Sequence, residues 1–448
     1  MSRKLLISTI LFSFILLGSA FSAVENIKVS GDLNLQAIVR DFSLESKTAS
    51  DNDHEFLISQ TRLNFEADLT EGVSAVLRFL SQETWGEDNA DDLEVDLGYI
   101  QLKEFIYQPL TLIVGRQNLR YGNALIIGDP DTDQGAPNDP GIGLPQIAVD
   151  LSLKKSFDAA RAILDFFPWT IDFIFAQLDE IDPAIFGGGT ANPHDDEYLR
   201  GFNVNYDWGE ITGQSQFGES ELYFFNASST PQSTSPNTKD YVNVVGLRTQ
   251  ANLSEKFTLG LEYGRQFGRY GAGGSERIVA FAGQLISEYR FLDDNKSKIS
   301  LDFSYLSGDR QETSNVYEGW DPMFEDQVAA ELMNGFLNIT GRQFVGLTYS
   351  TMPRDDLTIG ARYVYAWLSE KFTTAAIRSA MGPNAGILFT VNNSGYQLAH
   401  ELDLNFTYDW TENMQVKAVA GWLIPGDAFI EPNQSLAYSI RTGLYVNF

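Results

Sequence analysis

The chain has 448 residues, no cysteine and a formal net charge of −29 at pH 7. So acidic a balance argues against nucleic acid as a partner, because phosphate backbones attract cationic surfaces. The absence of cysteine excludes zinc–thiolate sites and cysteine nucleophiles, and it argues against a small disulfide-stapled extracellular domain.

The first residues predict a secretory signal peptide. Arg3 and Lys4 precede an apolar run at 5–17, and the small residues at 18–23 suit cleavage. We therefore expect residues 1–23 to be removed and residues 24–448 to form one domain, with a retained N-terminal anchor as the alternative. No later run approaches the roughly 18 consecutive apolar residues that a membrane helix needs.

The rest of the chain reads as segments of alternating polarity, each about 10 to 15 residues long. Short connections are predicted at 70–72, 107–109, 167–169, 207–209, 253–255, 292–295, 353–355 and 410–413. Longer polar stretches lie at 41–55, 84–92, 119–145, 179–196, 227–239, 269–276, 309–341, 370–396 and 425–435. These connections join eighteen strands, with short turns at one rim and long loops at the other. This layout is typical of a bacterial outer-membrane barrel.

The predicted fold is therefore all-β, an 18-stranded antiparallel transmembrane β-barrel. In the segment at 257–264, Leu259, Leu261 and Tyr263 share one face, and Glu262 lies on the other. A soluble β-sandwich is the alternative, but it has no reason to sort its connections by length.

A spanning sheet can have no free edge, because hydrocarbon offers no water to unpaired amide groups. The first strand, at 28–40, is therefore expected to pair with the last, at 435–448. The chain ends on Phe448, where an aromatic ring would be stable at the membrane interface.

Strand alternation also predicts which charged residues face the lumen. The predicted lumen bases are Arg40, Arg62, Arg78, Arg248, Arg290, Arg362, Lys417 and Arg441, and the predicted lumen acids include Asp96, Asp302, Glu401 and Asp403. These charges either brace a wet interior as acid–base pairs or form a ladder of weak sites for an anionic solute. Both functions are compatible.

Two other kinds of site are weakly indicated. Asp129, Asp131 and Asp133 have the spacing of the first calcium-loop ligands, but Gly135 comes one place late and Pro140 stands where a bidentate carboxylate is needed. A solvated acidic loop is the preferred interpretation, and no metal or other cofactor is predicted. No Gly-x-Ser-x-Gly elbow occurs, so an enzyme is a minor third hypothesis.

Several motifs resemble the alginate-export family of outer-membrane porins. The matching positions are Gly115-Arg116-Gln117, Tyr121-Gly122, Ile127-Gly128, the strand 401–404, Tyr408, Asn413 and Pro425-Gly426-Asp427. The strand 156–166 also resembles a family strand, with Ala159 and Ala160 in place of Gly-Val.

This resemblance implies an eighteen-stranded barrel that passively releases an anionic polysaccharide through an arginine-lined lumen. It implies lumen positions for Arg116 and Arg161, and recognition of the terminal Phe448 by the outer-membrane assembly machinery. Two features depart from an exporter of polyuronate: inward acids are about as numerous as inward bases, and the loops are acidic.

The sequence thus predicts a passive outer-membrane channel for hydrophilic solutes, with anionic or neutral saccharides as the expected solute and outer-membrane lipid around the barrel. The alternative is a structural or adhesive surface barrel whose lumen is plugged by the long loops at 309–341 and 119–145.

Overall fold

The computed structural model describes residues 25–41, 53–86, 93–130, 151–178, 197–209, 218–229, 241–270, 276–310, 313, 315–333, 341–371, 392, 394–430 and 433–448. Among these residues, no helix is long and apolar enough to cross a membrane.

One sheet contains all of the strands. Their bounds are β1 (Glu25–Asp41), β2 (Asp53–Thr70), β3 (Val73–Thr84), β4 (Leu93–Leu102), β5 (Leu110–Gln117), β6 (Phe157–Phe166), β7 (Trp169–Leu178), β8 (Glu197–Asp207), β9 (Gly218–Ser229), β10 (Tyr241–Asn252), β11 (Phe257–Tyr270), β12 (Glu276–Arg290), β13 (Lys298–Leu306), β14 (Val316–Tyr317), β15 (Arg342–Arg354), β16 (Leu357–Leu368), β17 (Gln397–Thr411), β18 (Met414–Pro425) and β19 (Ala437–Asn447).

Eighteen of these strands form the wall, each antiparallel to its neighbours, as predicted. The exception is β14, which has two residues and runs parallel to β12. Strand β13 therefore pairs directly with β15. The predicted strand number is confirmed, and β14 is a small addition made by a loop.

The wall closes where the two ends of the chain meet. Strand β1 pairs with β19 from Asp32↔Asn447 to Asp41↔Tyr438, which confirms the predicted pairing of the first and last strands. The ladder continues into the last residue, since Gly31 N donates to Phe448 O at 2.8 Å and Phe448 N donates to Gly31 O at 3.0 Å. A Cβ atom on Gly31 would lie 2.6 Å from the main-chain O of Arg62 and 2.7 Å from Cζ of Phe448, so this close approach requires glycine.

The connections within the described residues follow the predicted asymmetry. Strands β2 and β3, β6 and β7, β10 and β11, β15 and β16, and β17 and β18 are joined by tight turns at one end of the barrel, here called the short-turn rim. The opposite end is called the long-loop rim. Strand β8 ends at Asp207, where the turn at 207–209 is predicted, and residues 210–217 lie outside the described residues.

The two faces of the wall differ as the alternation predicts. Leu261 and Tyr263 are 43% and 48% exposed on the outside, and the intervening Glu262 is 3% exposed on the inside. In β17, Leu402 and Leu404 are likewise exposed, and Glu401 and Asp403 are buried. The barrel therefore has an apolar outer surface and a polar inner one.

The seam gives a test of closure. Deletion of Phe448 should lower the free energy of unfolding by about 1–3 kcal/mol, because two main-chain hydrogen bonds of about 0.5–1.5 kcal/mol each are lost. The measurement is the urea midpoint of barrel refolded in lipid vesicles. Phe448→Ala is the control, because it keeps both hydrogen bonds and removes only the ring. A deletion variant as stable as the parent would contradict this account of the seam.

Candidate functional site in the barrel interior

Two loop segments lie inside the barrel and pair with each other. The first inner loop (residues 118–130) follows β5, and the second inner loop (residues 315–333) lies between β13 and β15. Phe324 N donates to Ile126 O at 3.0 Å, and Gly128 N donates to Phe324 O at 2.6 Å. Asp326 N donates to Ala124 O at 2.9 Å. The two loops therefore form one body across the bore.

The first inner loop is attached to the wall by buried carboxylates. Tyr121 Oη donates to Asp172 on β7 at 2.7 Å. Gly122 N donates to Glu221 on β9 at 3.0 Å, and Asn123 N donates to Glu262 on β11 at 2.7 Å. Burial raises the pKa of the Tyr121 phenol, so this group remains a neutral hydrogen-bond donor.

The second inner loop is attached to the opposite part of the wall. Glu401 on β17 accepts hydrogen bonds from Leu332 N at 2.5 Å and Met333 N at 2.8 Å. Arg362 Nε on β16 donates to Ala329 O at 2.8 Å. One carboxylate therefore holds two consecutive main-chain amides in a region without access to solvent.

Further contacts hold both ends of the second loop. Arg441 on β19 pairs with Glu331 at 2.8 Å. At the other end, Gln266 on β11 donates to Asp321 O at 2.6 Å and accepts from Asp321 N at 2.9 Å. Burial raises the pKa of the Asp321 carboxyl group, so the inward position of the loop disfavours its charged form.

The inner loops also bury apolar side chains inside the polar barrel. Trp320, Phe324, Leu332 and Met333 are all at most 2% exposed. Phe324 packs edge to face on Phe157 of β6, with the ring centroids 5.9 Å apart. Burial of such side chains contributes about 1.5–3 kcal/mol each, so the inward conformation is favoured over an exposed one.

A third stretch, residues 151–156, covers the wall at β2–β4. Gln60 donates to Leu151 O at 2.7 Å and to Gln82 Oε1 at 2.8 Å. Leu153 N donates to the same Gln82 oxygen at 2.8 Å. Together with the two inner loops, this stretch contacts the wall strands on all sides of the bore.

The occupied region is the half of the barrel nearer the long-loop rim. Gln266 and Arg342 point inward there and are 0% and 1% exposed. Towards the short-turn rim the inward side chains of Glu66 and Arg290 are 45% and 43% exposed. The bore is therefore open at one end and occupied at the other.

Most of the predicted lumen bases lie inside and pair with an acid. The pairs are Arg62 with Asp32 (2.9 Å), Arg78 with Asp96 (2.5 Å), Arg161 with Asp172, Arg248 with Glu219 (2.6 Å) and Glu221 (2.7 Å), Arg290 with Glu288 (2.8 Å), Arg362 with Asp302 (2.7 Å) and Arg441 with Glu331 (2.8 Å). These pairs agree with the interpretation that the inward charges brace a wet interior as acid–base pairs.

Three predicted residues have other surroundings. Arg40 is fully buried, with Nε 3.2 Å from Ser439 Oγ and Nη2 3.9 Å from Glu331. Asp403 accepts from Glu331 N at 3.2 Å. The Lys417 ammonium lies 4.3 Å from the ring centroid of Tyr445, and within the described residues it forms no ion pair.

Arg116 does not face the lumen as the resemblance implied. Its guanidinium forms two hydrogen bonds with Asp158, at 2.9 and 2.8 Å. Asp158 lies between Phe157 and Ala159, which are both buried on the inner face, so alternation puts Asp158 and Arg116 on the outer face. The motif could not reveal this, because both faces of β5 are apolar.

The predicted acidic loop is only partly described. Asp129 accepts a hydrogen bond from Lys155 N at 3.1 Å, and Asp131 and Asp133 lie outside the described residues. Where the structure is described, no group of three or more acidic or histidine side chains could hold a metal ion.

Several interior residues were not predicted from sequence. Glu221 and Arg342 have inward parity and could have been found by extending the alternation through β9 and β15. Glu331 gave no signal, because it lies in a loop without periodicity. The inner loops were recognised only as long connections.

Comparison with known proteins extends these observations. A sequence model described as alginate export matches residues 59–440. No curated protein matches the chain. Among solved structures, OprD of Pseudomonas aeruginosa is similar with 11% identity and a TM-score of 0.57, over 96% of this chain and 95% of that one.

Two further Pseudomonas aeruginosa structures are similar. OccK2 (OpdF), solved in complex with glucuronate, has 12% identity and a TM-score of 0.59, over 95% of this chain and 98% of that one. OccK9 (OpdG) has 13% identity and a TM-score of 0.59, with the same coverage. These solved structures have the same closed-barrel fold as this chain. The match to the family model confirms the resemblance seen in the sequence. The chain belongs to the alginate export family and is an outer-membrane channel protein of bacteria.

Proposed function

We propose that the protein lets hydrophilic solutes, small anionic saccharides among them, cross the outer membrane passively. By the general layout of outer-membrane barrels, the short-turn rim faces the periplasm and the long-loop rim faces the exterior. The inner loops then close the exterior half of the bore, and passage requires them to move. We further propose that the barrel has no catalytic activity.

The observation that carries this proposal is the contact of Glu401 with the second inner loop. A single side chain accepts hydrogen bonds from Leu332 N and Met333 N, at 2.5 and 2.8 Å. Such a contact is strong while the loop is inside, because buried amides have no alternative partner. Both hydrogen bonds break together when the loop moves out of the bore, as expected of a gate with two positions.

The second candidate function is a structural or adhesive barrel that stays plugged. The buried Trp320, Phe324 and Met333 favour it, because they give the inner loops an apolar core of their own. The two proposals differ in one property: a gate must open at measurable frequency, and a plug must not.

The Glu401→Gln variant tests the gate. Glutamine has one acceptor oxygen and would turn its amide group towards a main-chain donor, which costs about 1–3 kcal/mol in a buried site. This cost would increase the displaced-loop population by roughly 5–150-fold. We expect more frequent opening events in planar-bilayer recordings.

Asp409→Asn is the matched control. It makes the same chemical change on the same strand, near the short-turn rim, where Asp409 accepts from Gln415 at 2.7 Å. If Glu401→Gln and the parent both show no current steps, the plugged barrel is supported and the gate is wrong.

The preference for anions rests on the periplasmic half of the bore. Lys417 lies against the Tyr445 ring, so its charge is not cancelled by a carboxylate within the described residues. A cation beside an aromatic ring offers both charge and a stacking surface, which suits a carboxylated sugar. OccK2 (OpdF), solved with glucuronate, supports the same class of solute.

The Lys417→Gln variant tests this preference. One charge about 8 Å from a permeating ion contributes about 0.5 kcal/mol in water, favourable for an anion and unfavourable for a cation, so its loss should lower the anion-to-cation permeability ratio roughly fivefold. The measurement is the reversal potential under a potassium chloride gradient. Lys296→Gln, in an exposed turn beside Asp355, is the control and should leave the ratio unchanged. An unchanged ratio in Lys417→Gln would contradict this role.

A further inference from the structure

Four arginines lie on the outer face of the wall near the long-loop rim. They are Arg200 on β8, Arg265 and Arg269 on β11, and Arg277 on β12, here called the outer arginine patch. Alternation gives their orientation: Arg265 and Arg269 share a face with the exposed Leu261, Tyr263 and Phe267. Gln266, between them, is fully buried inside.

Strand register brings these side chains together. Arg269 is the partner of Arg277, and Arg265 is the partner of Phe281, in the β11–β12 pairing. Neighbouring strands lie about 4.8 Å apart, so the two arginines of the first pair can contact the same small anion.

A polar ladder continues the patch towards β8. Arg200 Nε donates to Asn226 Oδ1 at 3.0 Å, and Asn226 Nδ2 donates to Asn243 Oδ1 at 2.9 Å. Asn243 Nδ2 then donates to Phe267 O at 3.2 Å, beside Arg265. The outer surface of β8, β9 and β10 is therefore polar at this level, and on β11 the same level is Phe267, between Arg265 and Arg269.

The outer face of the strands that carry the patch is cationic. No aspartate or glutamate has outward parity within the described parts of β8–β12, although the chain has 60 acidic and 31 basic residues. No ion pair to Arg265 or Arg277 occurs within the described residues, in contrast to most arginines inside the bore. Pairing within the described residues therefore does not account for these two charges.

The depth of the patch limits what can neutralise it. An outward arginine is costly in the middle of the hydrocarbon layer and costs little at its boundary. The patch therefore marks the headgroup level of the outer leaflet. The anions available at that level are lipid phosphates, which guanidinium groups bind through two parallel hydrogen bonds.

We propose that the outer arginine patch is a binding site for the phosphate groups of an outer-leaflet glycolipid. Arg269 and Arg277 bind one phosphate between β11 and β12. Arg265 contacts the adjoining sugar or a second phosphate, and the exposed Phe267 and Phe281 pack against the acyl chains. Lipid bound in this way would fix the depth of the wall at the strands that carry the first inner loop.

The test compares the full mature barrel in detergent with a variant that carries Arg265→Gln, Arg269→Gln and Arg277→Gln. Native mass spectrometry with purified lipid A as the probe should show retention by the parent and at least a tenfold weaker binding by the triple variant. Lipid A without its phosphates should bind both proteins equally weakly. Inorganic pyrophosphate should compete only at much higher concentration.

The control carries the same number of charge removals at the opposite rim, Lys256→Gln, Lys296→Gln and Arg354→Gln, and should bind lipid A like the parent. A second variant with lysine at the three arginine positions should bind lipid A with intermediate strength. It replaces the glutamine variant in the comparison if the glutamine variant does not fold.

Equal binding of lipid A by the parent and the glutamine variant would overturn the proposal, and so would binding of the dephosphorylated lipid as tight as that of lipid A. Binding of pyrophosphate as tight as lipid A, or an arginine-dependent dimer in place of a lipid complex, would overturn it too.

Discussion

The structure depends on the pairing of every main-chain amide in a sheet without edges. The hydrocarbon layer offers no hydrogen-bond partners, so the first and last strands must meet, and they do so up to the terminal residue at Gly31 and Phe448. Closure in turn fixes an inside and an outside for every strand. Once the sheet is closed, alternation alone sends Glu262 inward and leaves Leu261 and Tyr263 on the outer surface.

Inside the barrel, buried carboxylates serve mainly as acceptors for loop amides and for neighbouring arginines. Glu221, Glu262 and Glu401 each bind a main-chain N–H of an inner loop. This use of acids explains why the interior contains so many of them in a protein proposed to pass anions. In the half nearer the long-loop rim these acids bind loop amides and guanidinium groups, and the half nearer the short-turn rim retains exposed charged groups such as Arg290 and Glu66.

Charged residues on the inner and outer surfaces of the wall therefore have different surroundings. The inner face holds loops and balances its charges in pairs, as Arg248 does with Glu219 and Glu221. The outer face is apolar except near the long-loop rim, where Arg265 and Arg277 lie beside aromatic side chains. On the inside most charges pair with fixed partners of the chain, whereas on the outside Arg116 pairs with Asp158 and Arg265 and Arg277 form no ion pair within the described residues.

The sequence by itself determined the barrel, its strand number, its closure and the inward side of most charged residues, because a period of two is a local property of each strand. It placed Arg116 on the wrong face through a motif, because both faces of β5 are apolar and alternation could not decide. Only the tertiary structure decided that Glu401 holds Leu332 and Met333, because such contacts join residues far apart in the chain. The inward course of the loops followed from the same cause: loops carry no period, and their position depends on the wall that surrounds them.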